Sequence, residues 1–481
     1  MLRITNTLTR QKEEFKPLKE GKVSFYQCGP TVYWTQHIGN MRAMVMADLI
    51  RRSLEYLGFS VDFVRNYTDV GHLLGDNLGD ADTGEDRMDK SAKQEGKTPQ
   101  EIADKYIAIF EKDVEALNVK PPTYKPRATE YIQQIIEMVS VLLDKGFAYK
   151  TEKAVYFDVS KAKDYNKLNR QSLEQMQAGA GTGYVQDPEK KNPQDFALWF
   201  FKVGVHENAL QTWPAFVSDS GEARDGFPGW HIECSAMIKT LLGETIDLHM
   251  GGVEHISIHH TNEIAQSEGA NGASLANYWI HNEHLTVDGK KMAKSEGTGY
   301  ALSEIVDKGY DPLALRYFFL QARYRSKQNF TWEALEAAGT AYQRLRMTLR
   351  GLKESREGSG FSEEKEIKRQ DFSEQFVAAL EDDFNIPQAL AVVWDVTKSD
   401  ISEADKHGLL MDFDRVLDLG LDRAWEQDMP SEEIMGLVRK RNDLRKENKY
   451  QEADEVRKQV EELGWEVSDT TKFGTAVRKK R

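Results

Sequence analysis

The stretch Lys22–Arg42, KVSFYQCGPTVYWTQHIGNMR, constrains the fold more than any other part of the chain. It opens on alternating apolar residues, Val23 and Phe25, which suit a strand, and Cys28-Gly29-Pro30 breaks that strand. From Gly39, the residues Met41, Met44, Val45, Leu49, Ile50, Leu54 and Leu57 recur at helical spacing until Gly58 closes the run. Val61–Tyr67 (VDFVRNY) then alternates again and ends in Thr68-Asp69. Strand, helix and strand within about 45 residues make a βαβ unit. Such a unit implies a parallel sheet with ligands at the carboxyl ends of its strands. The turn that enters the helix offers backbone N–H groups and the positive end of the helix dipole, a natural phosphate site. That turn carries His37-Ile38-Gly39-Asn40, and the thiol of Cys28 lies at the end of the strand before it.

The chain has 481 residues, room for about three domains at roughly 150 residues each. With 30% charged residues, no apolar run of spanning length and a polar start (MLRITNTLTRQKEEFKPL), the composition predicts a soluble cytoplasmic protein without a membrane segment. In a reducing compartment Cys28 and Cys234 are core thiols, metal ligands or catalytic groups rather than a disulfide. A net charge of −14 argues against a chain that coats nucleic acid indiscriminately. The charge is uneven, however. Residues 431–481 hold 13 Lys and Arg against 11 Asp and Glu, a local +2 that leaves −16 for the rest. A locally basic tail on an acidic chain suits one specific polyanionic partner, and equally a solvated charged helix.

Residues 71–99 read as a mobile loop or insertion. Asp80-Ala81-Asp82-Thr83-Gly84 resembles a calcium loop, but its glycine is one place early and Ser91 stands where the bidentate glutamate belongs. Helical periodicity marks Glu101–Leu117 and Tyr131–Lys145. Residues 150–220 are short, mixed and broken by Gly and Pro, including a flexible patch at Ala178–Gly183, and read as an inserted subdomain. A glycine turn at 228–229 precedes a new helix, LHMGG (248–252) ends a strand, and His259 opens another helix. A further strand and turn run from Tyr278 to Gly289. Beyond Pro312 the pattern is helical, with a linker at Gly351–Gln370 and a long charged helical region at Glu432–Leu463.

Two sets of residues carry chemistry. His259 and Glu263 are four apart and share one helix face; His260, three from Glu263, competes for the same role. With Cys28 and Cys234 they offer a Cys, Cys, His, Glu donor set that suits four-coordinate zinc. Taken singly, each of these residues is more often structural. The second set is His37–Asn40 with Lys291 and Lys294 on a glycine-flanked loop, Lys291-Met292-Ala293-Lys294-Ser295. A helix start with a histidine would hold a phosphate chain, and two lysines would neutralise a departing pyrophosphate.

HIGN (37–40) and KMAKS (291–295), in this order on a βαβ frame, resemble the HIGH and KMSKS signatures of class I aminoacyl-tRNA synthetases. NTLTRQKEEF near the start, YQCGPTVY around Cys28, NPQDFALW (192–199), PGWHIECSAM (228–237), HHTNEIAQSE (259–268) and DDFNIP (382–387) resemble the cysteinyl-tRNA synthetases in particular, over nearly the whole chain. Asn40 replaces the last His of HIGH, Ala293 replaces a Ser, Glu254 stands where aspartate is expected, and GHLLGDNLGDADTGED after Thr68-Asp69 departs from the usual pattern.

The resemblance implies an α/β class I catalytic domain with a Rossmann-like parallel sheet and an inserted subdomain, followed by an α-helical anticodon-binding bundle and a small C-terminal domain. The expected division is 1–125 and 222–275 for the two catalytic halves and 126–221 for the insert. It continues with 276–345 for a stem-contact region carrying the KMAKS loop, 346–430 for the bundle and 431–481 for the tRNA-binding tail. One zinc per chain would be held by Cys28, Cys234, His259 and Glu263, and Mg2+ would accompany ATP. His37, Gly39, Asn40, Lys291 and Lys294 would handle phosphates. Gly29, Thr68 and Trp230 would line the amino-acid site, with His37, His231 and His249 forming a histidine cluster at its base. ATP, L-cysteine and a cysteine tRNA are the implied partners of a monomer.

A cysteine-to-amino-sugar ligase of the same fold would not need residues 371–481. A non-enzymatic tRNA-binding relative would not need both lysines and a complete donor set. Because every implied catalytic residue precedes position 296, a chain cut before Asp371 is expected to keep cysteine activation and lose tRNA charging.

Overall fold

The computed structural model of the protein describes residues 1–71, 73, 86–171, 188–217, 223–292, 298–354, 363–422, 432–447, 449–470 and 474–479. At its centre is a four-stranded parallel sheet of β1 (Lys22–Gln27), β2 (Ser60–Arg65), β3 (Ile246–Gly252) and β4 (Ala276–Asn282), in the order β4-β3-β1-β2. The central strand β3, IDLHMGG, is buried along its whole length, as expected of a parallel strand covered on both faces. Helix α1 (Ile38–Tyr56) crosses from β1 to β2 and buries Met41, Val45, Leu49 and Leu54 against the sheet. Helices α2 (Trp230–Leu241) and α3 (His259–Asn271) follow the insert and β3, and they pack on each other.

Between β2 and β3 the chain builds a five-stranded antiparallel sheet. Its strands, in spatial order, are Ala148–Lys150, Ala154–Phe157, Phe196–Phe201, Ala223–Pro228 and Trp213–Val217. The strand FALWFF at its centre is wholly buried, and Gly229 follows so closely that a Cβ there would lie 2.2 Å from the Ala197 carbonyl oxygen. This sheet leads directly into α2.

After the parallel sheet the fold turns helical, with Pro312–Leu320, Trp332–Glu354, Glu363–Glu381, Ile386–Lys398 and Glu403–Leu417. Helix continues to Glu354 and resumes at Glu363, so the span expected as a linker (351–370) is helical at both ends. One apolar core runs without interruption from Phe25, Val45 and Leu54 through Leu315 and Phe319 to Leu380, Phe413 and Leu417. The catalytic sheet and the helical bundle therefore share a core, and a cut before Asp371 would divide it. The expectation that residues 1–370 stand alone gives way on that ground.

One further expectation is refined and another corrected. The charged region 432–463 is two helices, Glu432–Lys446 and Tyr450–Glu462, packed side by side, and a hairpin of Trp465–Thr470 with Gly474–Lys479 follows. Ile434, Val438, Val460, Trp465 and Val467 form its own apolar cluster. Within 71–99, residues Arg87–Glu95 form a helix capped by the Asp86 carboxylate. The Asp80–Gly84 and Ala178–Gly183 segments lie outside the described residues. Among those described, no helix is long and apolar enough to cross a membrane.

Candidate active site

The site stands at the carboxyl ends of β1 and β3. The Cys28 N–H donates to the Met250 carbonyl at 3.0 Å, which fixes the end of one strand against the other. Gly29 then passes so near β2 that a Cβ would meet the Asn66 carbonyl oxygen at 1.7 Å, and its N–H donates to Asn66 Oδ1 at 2.9 Å. Asn66 Nδ2 reaches Thr68 Oγ1 at 3.3 Å, and Thr68 exchanges backbone hydrogen bonds with Pro30 and Val32. Gly29 and Thr68 are thus held together beside Cys28.

Helices α2 and α3 bring the remaining donors to Cys28. Cys28, Cys234, His259 and Glu263 are all buried, and one donor atom from each lies within 4.8 Å of the others. Cys28 Sγ is 3.6 Å from Glu263 Oε1, and Cys234 Sγ is 3.7 Å from His259 Nε2. For a zinc ion with sulfur at about 2.3 Å and nitrogen or oxygen at about 2.0–2.1 Å, such tetrahedral edges come to about 3.6 Å. The third edge, His259 Nε2 to Glu263 Oε1, is a 2.7 Å hydrogen bond. His260 belongs to a second, overlapping set of Cys28, His249, His260 and Glu263. Only the set with His259 contains both cysteines.

The donors are oriented from behind, as metal ligands usually are. His231 Nδ1 lies 2.9 Å from His259 Nδ1, and His249 Nε2 lies 2.6 Å from Glu263 Oε2. The Trp230 ring lies over His259, with centroids 4.3 Å apart. A hydrogen bond with Cys28 holds the Cys234 thiol down to about 6, whereas burial pushes the Cys28 thiol well up. Burial works against the charge of His259, yet Glu263 and Cys234 push it up to about 10. Glu263, despite its burial, is held far below the usual carboxylate range by His249 and His259. One thiolate, one carboxylate and a histidine charged by its neighbours are a donor set whose protons a divalent cation would displace.

The histidine cluster is larger than expected. Among the described residues, ring contacts join His231, His249, His255, His259, His260 and His281 here. His260 Nε2 lies 3.3 Å from Cys28 Sγ, its Nδ1 lies 2.7 Å from His281 Nε2, and His281 Nδ1 lies 2.8 Å from Thr7 Oγ1. Trp279 stacks on His249. His37 is the N-cap of α1. The density of histidine between 231 and 281 was the available sequence signal for His255, His260 and His281, but their spacing fits no single helix or strand face.

His37 and Asn40 cap α1 reciprocally: Asn40 N–H donates to His37 Nδ1 at 3.2 Å, and His37 N–H donates to Asn40 Oδ1 at 3.3 Å. The Ile38 N–H donates to the Tyr300 carbonyl, so part of the first turn's donor set is already engaged. A Cβ on Gly39 would lie 3.0 Å from the His37 ring and 3.5 Å from Met292 Sδ. The two motifs therefore adjoin. Lys291 pairs through its backbone with Thr286, while Ala293, Lys294 and Ser295 lie outside the described residues.

Comparison with solved structures defines the class of fold. The chain is similar to Mycobacterium tuberculosis methionyl-tRNA synthetase bound to methionyl adenylate (TM-score 0.55, 14% identity, 83% of this chain and 90% of that one). It is also similar to an Agrobacterium radiobacter leucyl-tRNA synthetase ternary complex (TM-score 0.59, 12% identity, 85% of each). This is the class I aminoacyl-tRNA synthetase fold. Residues 14–340 match the family of tRNA synthetases class I (C) catalytic domains, and residues 375–399 match the DALR domain. Cysteine–tRNA ligase 1 of Burkholderia lata is 41% identical over 99% of this chain and 97% of its own length. The Treponema denticola cysteine–tRNA ligase is 39% identical over 97% and 98%. The chain belongs to the cysteine–tRNA ligase family of class I synthetases.

Proposed function

We propose that the protein activates L-cysteine with ATP and transfers it to the 3′ end of a cysteine tRNA. The observation that carries this reading is the meeting of Cys28, Cys234, His259 and Glu263 at the carboxyl end of the parallel sheet, beside the capped start of α1. Cysteine and serine differ by one atom, and a plain pocket separates such isosteres poorly. Zinc, one ion per chain, supplies a soft Lewis acid that bonds a thiolate and leaves a neutral hydroxyl weakly held. Cys28, Cys234, His259 and Glu263 would hold it, His231 and His249 would orient two of those ligands, and Trp230 would wall the side-chain pocket.

Gly29 and Thr68 border the substrate's amino and carboxylate groups. The carboxylate attacks the α-phosphate of Mg2+-ATP; the new C–O–P bond forms as the bond to pyrophosphate breaks. His37, Gly39 and Asn40 hold the phosphate chain at the start of α1, and Lys291 and Lys294 balance charge on the leaving pyrophosphate. The terminal tRNA hydroxyl then takes the cysteinyl group and AMP departs.

On this reading residues 1–125 and 222–275 form the catalytic domain and 126–221 the connective insert. Residues 276–345 contact the acceptor stem, 346–430 form the anticodon-binding bundle and 431–481 add a tRNA-binding tail. The protein acts as a cytoplasmic monomer. The test is ATP–pyrophosphate exchange against each common amino acid, with cysteine-tRNA charging and zinc content measured on the same preparation. Exchange with another amino acid instead of cysteine would overturn the assignment.

A further inference from the structure

Helix α1 starts at the proposed phosphate site, and two residues past Asn40 it carries Arg42, which solvent does not reach. Its Nε donates to Gln328 Oε1 (3.0 Å), Nη1 to the Glu283 carbonyl (2.5 Å), and Nη2 to the carbonyls of Arg323 (3.0 Å) and Ser326 (2.9 Å). Residues 323–326 are therefore clasped to the first turns of α1 by one side chain.

Three of these residues, Arg323, Tyr324 and Arg325, also grip the helical bundle. Tyr324 Oη donates to Asp383 Oδ1 at 2.7 Å, Arg325 Nε to Asp383 Oδ2 at 2.7 Å, and Arg323 Nη2 to Asp382 Oδ2 at 3.1 Å. Asp383 also accepts from the Thr5 N–H and hydroxyl, both at 2.8 Å. It sits in the turn between Glu363–Glu381 and Ile386–Lys398, inside the DALR match. Asp383 (φ 60°) and the next residue, Phe384 (φ 51°), are both left-handed, a conformation that L side chains rarely adopt singly and more rarely in succession. A backbone held in that region at a junction is over-determined by its contacts, and such places are where a conformational state can be read.

We infer that Arg42 is a positioning residue for the phosphate-binding start of α1, and that the Asp383–Phe384 turn acts on it through residues 323–326 when tRNA occupies the bundle. The inference rests on the proposed tRNA-binding role of the bundle. Its readout is a coupling between nucleotide and tRNA binding, which must be equal in both directions.

The experiment uses the full-length protein with cysteine and a non-hydrolysable ATP analogue, titrated with and without saturating cysteine tRNA. In the wild type, tRNA is expected to shift the analogue's Kd by at least about 5-fold, and the analogue to shift the tRNA's Kd by the same factor. Tyr324→Phe removes one hydroxyl at the junction. It is expected to bring the shift below about 2-fold while each ligand alone binds as to wild type. Arg42→Lys keeps the charge but loses the fork. It should raise the KM for ATP in tRNA-free exchange and leave the KM for cysteine unchanged. A wild type with no shift, or a Tyr324→Phe variant that keeps the full shift, overturns the inference. So does an Arg42→Lys variant whose kcat alone falls, since that marks a packing role. A wild type that charges no cysteine tRNA overturns the proposed function instead.

Discussion

The Asp48 carboxylate and the Arg316 guanidinium meet at 2.7 Å with neither side chain open to solvent. Asp48 lies in the middle of α1 and Arg316 on helix Pro312–Leu320. The other Arg316 nitrogens donate to the carbonyls of Leu417 (2.8 Å), at the end of a bundle helix, and Leu117 (2.9 Å). Asp48 also takes the Lys120 N–H and Arg52 Nε. One buried pair thus ties the catalytic helix, the loop behind the sheet and the bundle together.

Breaking it from one side leaves Asp48 with Arg52 alone among the cations. Arg316→Met is expected to cost about 1–3 kcal/mol in urea unfolding, because Asp48 keeps Arg52 and the Lys120 N–H but loses its fully buried partner. The double variant Asp48→Leu/Arg316→Met should cost clearly less than the sum of the two single changes. Although burial opposes ionisation, Arg316 and Arg52 hold Asp48 below its ordinary range. A depressed carboxylate contributes stability above its unfolded value, about 3.9, and loses it as pH falls through the folded value. The stability gap between wild type and Asp48→Asn should therefore narrow below about pH 4 and stay constant from about pH 5 to 7. Additive single variants, or a gap independent of acid, would remove the pair from this role.

Metal content is the direct check on the donor set. Cys234→Ser keeps the shape of the site and loses the thiolate, so zinc per chain should drop well below one and cysteine-dependent exchange should fall with it. Elemental analysis that finds no zinc in active wild-type protein would end the thiolate-selection argument.

Gly251 offers a test that touches no donor. A Cβ there would lie 2.5 Å from His255 Nδ1 and 2.6 Å from His260 Cε1, so both rings must move to admit Gly251→Ala. The expected result is a loss of about 2–4 kcal/mol in stability and reduced zinc retention under a chelator. Unchanged zinc retention would show that the rings around the donors adapt freely.

The βαβ unit was legible because its apolar residues switch cleanly from period two to helical spacing and back. His259 and Glu263 could be paired because four residues bring side chains onto one helix face. What sequence spacing could not provide was the convergence of Cys28 with Cys234, since that depends on β1 and β3 lying side by side after a long insert. Nor could it separate His259 from His260, which are adjacent on one helix and face opposite cysteines in the folded site. The break between Glu432–Lys446 and Tyr450–Glu462 carries neither Gly nor Pro, so charged helical periodicity ran across it unnoticed. The shared core between sheet and bundle was hidden for a similar reason: amphipathic stripes announce burial without naming the partner.

Lys294 lies outside the described residues, and the role proposed for it rests on its place in KMAKS. Lys294→Ala should slow adenylate formation by about 3 kcal/mol in barrier height while cysteine affinity stays near wild type. Single-turnover activation at the wild-type rate would sink that role.

The boundary between what cysteine activation needs and what it can lose is expected at Asp422 rather than at Asp371. Before that point, bundle residues such as Leu380, Phe413 and Leu417 belong to the catalytic core, and Leu417 and Asp383 bond directly to Arg316 and Thr5. Beyond it, the two helices and the hairpin enclose an apolar cluster of their own. A chain ending at Asp422 should retain cysteine–ATP exchange, whereas one ending at Gln370 should lose exchange by unfolding. The locally basic tail, 13 Lys and Arg in 51 residues, would neutralise tRNA phosphates. Its removal should lower kcat/KM for tRNA charging by at least about tenfold and reduce the salt slope of tRNA affinity by about 0.9 for each phosphate that the tail would have neutralised. Equal charging by the chain ending at Asp422 and the full chain would strip the tail of that role. Full exchange activity in a chain ending at Gln370 would show that the catalytic sheet does not depend on the bundle for its core.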